Sequence, residues 1–425
     1  MYFTYIVYLL FIALFVWGGR FAGFGSTKFH DDSAGLDVTK SVRGIAAIGV
    51  ILHHISQESA FQQAGGPEGG GVIQAFCNIG FLFVAVFFFW SGFGLIKSLA
   101  SKPDYLKGFM KKRVLRVLVI PFYISVILYA PLHLLSGEEM PASHWVCNFL
   151  GLTMMNEYAW YPIVAAILYT AFYFIFGKQK DRRLCFLLMT FVIFALGLLF
   201  CVNGHFAWWA GEKNWWLTRL GWKNAKWWMY MKIFWFSGEW WVNSCTAFLV
   251  GMLFSWYEDG IRAWFRHAYW CKLFLIILLT AALSALSAFG QWKFGYWTEF
   301  SGNGPGTLNK FITYLLQVPQ SMIVVILMFA VMLKYHASNP VTRFMGKLSL
   351  ETYMMNLMAL SVFRFLLYEG SGPDGNPVPV YWAGNWNLVL YAVAVIAATI
   401  VLALIYRFLC SLVRFSGPKP LSGRE

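Results

Sequence analysis

Apolar runs of bilayer length recur along the whole chain, and nothing else in the sequence restricts its folds so strongly. They fall at about 2 to 17, 43 to 57, 78 to 98, 114 to 135, 159 to 176, 184 to 201, 237 to 256, 271 to 289, 311 to 333, 346 to 368 and 386 to 408. A helix needs about 20 apolar residues to cross the hydrocarbon core. The eleven runs therefore predict an all-α polytopic membrane protein, with about ten to eleven transmembrane helices in one bundle. Composition points the same way: 59% of residues are hydrophobic, 12% are charged and the mean hydropathy is +0.59, whereas a soluble domain carries about 25% charged residues. Spans and short connectors use up the 425 residues, leaving no room for a large soluble domain. The stretch Trp145 to Met155 is too short to cross and reads as an interfacial or re-entrant piece.

Charge in the connectors sets an orientation. Arg20, Lys28 and Lys40 lie between the first two runs; Lys97, Lys102, Lys107, Lys111, Lys112, Arg113 and Arg116 follow the third; Lys178, Lys180, Arg182 and Arg183 follow the fifth. Arg262, Arg266 and Lys272 follow the seventh, and Lys334, Arg343 and Lys347 the ninth. Every second connector is basic, while Ser136-Gly-Glu-Glu-Met and the loop from Glu369 are acidic or neutral. The positive-inside rule then predicts a multi-pass protein with the N-terminus outside and the C-terminus, including a tail at 411–425, in the cytoplasm. The net charge of +14 mostly reports cytoplasmic loops, and no soluble basic module is present to bind nucleic acid. Met1 to Trp17 lacks a positive n-region and reads as an uncleaved anchor helix within residues 1–20. The seven cysteines form no CxxC pair, so neither a zinc site nor a disulfide framework is expected, and no metal.

Inside the second run, Arg43 and His54 stand eleven positions apart. Eleven residues make about three helical turns, so the two share a face at roughly 16 Å separation along the axis. Ionisable side chains at membrane depth are costly and mark functional sites. His53 is rotated by about 100° from His54, so only His54 aligns with Arg43. The predicted topology puts Arg43 at the cytoplasmic end of the helix and His54 toward the outer half.

A second unusual region runs from about His205 to Trp241. It holds Trp208, Trp209, Trp215, Trp216, Trp222, Trp227, Trp228, Trp235, Trp240 and Trp241, ten of the 21 tryptophans. Such a cluster suits an aromatic belt at the outer interface, or a stacking platform for a sugar face. Glu239 and Trp240 are candidate acceptor-binding residues there.

Four segments in order resemble the acyltransferase-3 family of integral membrane O-acyltransferases. Arg43-Gly-Ile-Ala-Ala-Ile-Gly-Val-Ile-Leu-His53-His54 looks like the family's basic residue followed, after ten others, by His. The apolar run ending in Ser91-Gly92-Phe93, the segment Lys112-Arg113-Val-Leu-Arg116 with Pro121 and Tyr123 downstream, and Gly346-Lys-Leu-Ser349-Leu-Glu-Thr-Tyr353 are similar to its later motifs. The resemblance covers about residues 36 to 410 and implies a membrane domain of those bounds. Two departures stand out. Asn356 occupies a position where many members carry His, which gives it a structural role, and Trp160 to Tyr169 lacks the Glu of one large subgroup.

The resemblance implies transfer of an acyl group, commonly acetyl from cytoplasmic acetyl-CoA, to a hydroxyl of a cell-envelope glycan or glycolipid. His54 then acts as general base or as a transient acyl carrier. Arg43 holds donor phosphates or polarises the thioester oxygen. Arg113 and Arg116, three apart on one helical face, offer guanidinium forks to the phosphates of acyl-CoA. The alternative function is a polysaccharide or glycolipid flippase, with Arg43 and His54 lining its pathway.

Overall fold

The computed structural model of the chain describes residues 2–62, 73–135, 142–150, 155–156, 158–203, 242–295, 300–301, 304–305, 307–373, 375, 377–380 and 386–413. Helices α1 (Tyr2–Val16), α2 (Leu36–Gln62), α3 (Gln74–Cys77) and α4 (Gly80–Ser101) precede a π-helical segment, Met110–Val119, which runs into α5 (Ile120–Leu135). There follow α6 (Ala142–Phe149), α7 (Trp160–Lys178), α8 (Arg182–Asn203), α9 (Thr246–Trp256), α10 (Glu258–Arg266) and α11 (Tyr269–Phe294). The order ends with α12 (Thr307–Lys334), α13 (Pro340–Lys347), α14 (Ser349–Val362) and α15 (Trp386–Leu412).

Among the described residues, 7 helical stretches are long and apolar enough to cross a membrane: α4, Met110–Leu135, α7, Arg182–Leu199, α11, α12 and α15. The protein is thus an all-α, multi-pass membrane protein. The remaining expected runs take other forms. The run at 2 to 17 is a helix of 15 residues, and that at 237 to 256 contributes the 11 residues of α9. The run at 346 to 368 is broken at Leu348 between α13 and α14 and ends in a 3-10 turn, Arg364–Leu367. The run at 43 to 57 lies within α2, whose 27 residues reach about 40 Å. Its length suffices to cross; its charged residues make it too polar to register by hydropathy.

Two glycine-mediated crossings fix the centre of the bundle. A Cβ on Gly92 of α4 would lie 2.1 Å from the Phe248 carbonyl oxygen of α9, and one on Gly251 would lie 1.9 Å from that of Phe89. On the other side of α4, α2 meets α13 through Gly44 and Gly346, where a Cβ would lie 1.8 Å from the carbonyl oxygens of Thr342 and Lys40 respectively. Small residues let helix backbones touch in a membrane, where packing rather than water exclusion drives association. Burial follows this order: 61% of the apolar window of α4 is buried inside the protein, against 17% for α11. Helix α4 is therefore central and α11 peripheral. The start of α13 is set by a capping box, in which the Asn339 side chain and the Thr342 backbone and hydroxyl satisfy each other ahead of Pro340 at the first turn.

The basic helix ends collect on one face. Lys97 of α4 pairs with Glu258 of α10, whose other oxygen lies 3.9 Å from Arg262. Arg262 donates to Ser33 Oγ and to the His30 carbonyl. Arg182 lies over the Trp256 ring. Lys334, at the end of α12, donates to the carbonyls of Gly23, Gly25 and Lys28. The connector between α1 and α2 is thereby bound to the end of α12, and Arg20–Phe21 pairs antiparallel with Tyr335–His336. Burial holds the His336 imidazole down to about 4, so it is neutral at pH 7.

Candidate functional site

Helix α2 carries the expected pair in the expected register. Asp37 sits in its first turn and binds Lys40 Nζ at 3.2 Å, a carboxylate near the positive end of the helix dipole. One turn on, half-buried Arg43 directs Nε to the Thr39 carbonyl at 3.4 Å. His54, three turns deeper, is only 6% exposed.

The His54 ring is held by three parts of the chain. Its Nδ1 lies 2.7 Å from Asn356 Oδ1 of α14, and Asn356 Nδ2 donates to Thr399 Oγ1 of α15 at 3.2 Å. The Asn356 amide turns its oxygen toward the imidazole and its nitrogen toward the Thr399 hydroxyl. An amide oxygen only accepts, so Nδ1 carries the proton and the neutral ring keeps a lone pair on Nε2. Tyr158, just before α7, stacks on the imidazole at 3.7 Å with the planes 7° apart. Asn356, read from sequence as structural, is the group that selects the His54 tautomer. The next histidine has a different environment: His53 Nδ1 lies 2.9 Å from the Phe76 carbonyl, and its ring fills the space a Cβ on Gly80 would need, 2.2 Å away. One turn beyond His54, Glu58 lies 3.5 Å from Arg364.

At the Arg43 end the bundle gathers tyrosines. The charge of Arg43 acts on both Tyr161 and Tyr169 of α7, and Tyr169 also feels Arg113. Ser91 of α4 and Tyr161 share a hydrogen bond of 3.1 Å. Tyr353 of α14 meets Tyr161 edge-on at 5.8 Å and Trp160 at 6.1 Å. Arg113 lies 5.9 Å from the Tyr105 ring. Residues from α2, α4, α7, α14 and the π-helical segment thus converge, and Arg43 and Arg113, 70 positions apart, act on one phenol. The constellation joins two cations with hydroxyl donors, a set that suits phosphates and amides.

The expectation that Arg113 and Arg116 share a face needs correction. Both lie in the π-helical segment, and its wider turn rotates residues three apart further from one another than an α-helix would. Arg113 faces the tyrosine cluster; Arg116 lies further along, half-buried. Glu239, Trp240 and the other tryptophans between 205 and 241 lie outside the described residues. Sequence reasoning passed over Tyr158, Tyr161 and Tyr169, since tyrosines at helical spacing in an aromatic-rich chain read as packing.

A family model described as an acyltransferase domain matches residues 35–408. The match takes in α2 through nearly all of α15, and with it every residue of the His54 and Arg43 clusters. Neither the curated proteins nor the solved structures give a match. The chain belongs to the acyltransferase-3 family.

Proposed function

We propose that the protein is a membrane O-acyltransferase that moves an acyl group, acetyl in the simplest case, from cytoplasmic acyl-CoA to a hydroxyl of an envelope glycan or glycolipid. The observation that carries this reading is the Asn356–His54 hydrogen bond, which leaves Nε2 as a base. In the proposed step Nε2 takes the proton from the acceptor hydroxyl as its oxygen attacks the thioester carbonyl. The C–S bond then breaks, and the departing thiolate receives that proton from the imidazole. The face carrying the basic helix ends is the cytoplasmic one in this scheme.

Arg43 serves the donor. It stands about 16 Å along the helix axis from His54, too far to touch the carbonyl that His54 serves. An extended pantetheine arm bridges that distance, so Arg43, Tyr161 and Ser91 would hold the polar arm or phosphates while the thioester reaches His54. Arg113, which also acts on Tyr169, extends the same cradle. Arg113→Ala is accordingly expected to raise KM for acyl-CoA by about tenfold, roughly 1.4 kcal/mol of binding, with a smaller change in kcat. Steady-state kinetics in detergent would check this. His53→Ala should be milder than His54→Ala in the same assay, because His53 bonds to a backbone carbonyl rather than to the Asn356 relay; the reverse order would mean that the wrong face of α2 had been assigned.

The direct test is reconstitution in vesicles with radiolabelled acetyl-CoA, comparing the wild type with His54→Ala and Arg43→Ala. Acyl turnover or glycan acylation that persists in both variants would sink the site. A wild type inert toward every acyl-CoA that nevertheless moves a glycolipid between leaflets would identify a flippase instead.

A further inference from the structure

Away from the bundle interior, the connector between α1 and α2 meets the end of α12 at a small polar cluster. His30, Asp32 and His336 each present one ligand atom there, and the three atoms lie within 4.8 Å of one another. His336 is 2% exposed. Its Nδ1 lies 3.7 Å from Asp32 Oδ1, and its Nε2 is buried with no hydrogen-bond partner among the described residues. The two imidazoles stack with centroids 3.8 Å apart, while Asp32 is 71% exposed, so the cluster is walled by rings on one side and open to solvent at the carboxylate.

We propose that His30, Asp32 and His336 form a site for a divalent transition-metal ion of the zinc class. Two imidazoles and one carboxylate are the donor set zinc takes when three protein ligands leave a fourth position to water. Ligands about 2.0–2.1 Å from a tetrahedral zinc stand roughly 3.4 Å apart. The Asp32–His336 separation is already close to this; the widest separation has little more than 1 Å to close, and the stacked rings swing apart on binding so that their in-plane lone pairs converge on the ion. His30 also has the outer contact typical of a ligating histidine: its Nε2 lies 3.1 Å from the Arg20 carbonyl, so Nε2–H donates and Nδ1 keeps the lone pair for a metal. Of the cations nearby, Arg20 acts on the His336 ring, a repulsion the Asp32 carboxylate offsets for a bound ion, and two others are engaged elsewhere. Lys334 is directed at three backbone carbonyls and Arg262 at Ser33 and the His30 carbonyl.

A metal here would fasten the connector to the end of α12. The effect reaches the start of α2, because Ser338, two residues beyond His336, shares a 3.0 Å hydrogen bond with Ser41, two residues before Arg43. The ion would thus be a structural clamp near the donor cradle. The inference does not depend on acyl transfer. Cysteine spacing gave no hint of it, since its ligands are His and Asp, two of them some 300 positions from the third.

The test uses the full chain in detergent, purified without a polyhistidine tag and stripped with a chelator. Zinc is then titrated against a chromophoric zinc indicator, and the melting temperature is read with and without zinc. The wild type is expected to take up one zinc and to gain thermal stability from it, with no gain from magnesium. Asp32→Asn, at an exposed position that leaves folding intact, and His30→Gln should each weaken uptake by about tenfold or more and abolish the thermal gain. His336→Ala is the third variant, and the other two keep the test decisive if it fails to fold. Equal zinc uptake by the wild type and by the His30→Gln/Asp32→Asn double variant, or no uptake by the wild type, would overturn the proposal.

Discussion

Replacing His54 by alanine is expected to lower acyl transfer by about 10²- to 10⁴-fold, the usual contribution of a positioned general base, with the protein still folded and monodisperse. The variant loses a ring stacked on Tyr158 and one hydrogen bond to Asn356, the latter worth about 1 kcal/mol net. Other contacts of α2, at Gly44 and Ser41, are untouched. Asn356 separates a chemical role from a merely structural one. Asn356→Leu keeps the branched shape of the side chain, at a larger volume, but removes the acceptor that keeps the proton on Nδ1, so kcat should fall while KM for acyl-CoA holds. Asn356→Asp still accepts from Nδ1 and should retain more activity than the leucine variant. Were His54→Ala as active as the wild type, or were the leucine variant the better of the two, the relay would have no part in the reaction.

The largest structural effect is expected from Gly44→Val. Its Cβ would lie 1.8 Å from the Thr342 carbonyl oxygen, and that oxygen belongs to backbone held by a capping box, so the clash cannot be relieved by a side chain swinging away. Overpacking costs about 1–3 kcal/mol even where side chains can adjust; here two helices must separate. Gly346→Val attacks the same crossing from the other side, with its Cβ 1.8 Å from the Lys40 carbonyl oxygen. Both variants should give little monodisperse protein in size-exclusion chromatography and a lowered melting temperature. Gly94→Ala is the control: a Cβ there meets nothing within 4 Å, and alanine favours the helix. A Gly44→Val protein that melts with the wild type would mean that α2 and α13 do not cross at these glycines.

The sequence made α2 legible because a helix repeats every 3.6 residues, and eleven positions close three turns whatever surrounds them. The bundle itself was legible from its apolar runs. Span number was not, because charge and length trade against each other: α2 is long but polar, and the run at 346 to 368 is broken at Leu348. The partner of His54 was invisible for a different reason. Asn356 is 302 positions away, and no local pattern relates residues that only the packing of α14 against α2 brings near. Arg113 and Arg116 show the opposite failure, a local rule applied where the backbone departs from it, since α-helical spacing does not hold in a π-helical turn. The late Gly346 motif was legible as a resemblance, but its physical purpose is the contact with Gly44 beside Arg43.

The hydrogen bonds from His54 to Asn356 and on to Thr399 also bear on how the protein comes into being. A ribosome releases α2 early, and chains grow and fold from the N-terminal end. The imidazole acquires its fixed proton only after α14 and α15 have entered the bilayer, close to the end of synthesis. Chains cut short before Thr399 would carry His54 and Asn356 without the hydroxyl that completes the relay, so under the proposed function unfinished copies would lack a fully aimed base.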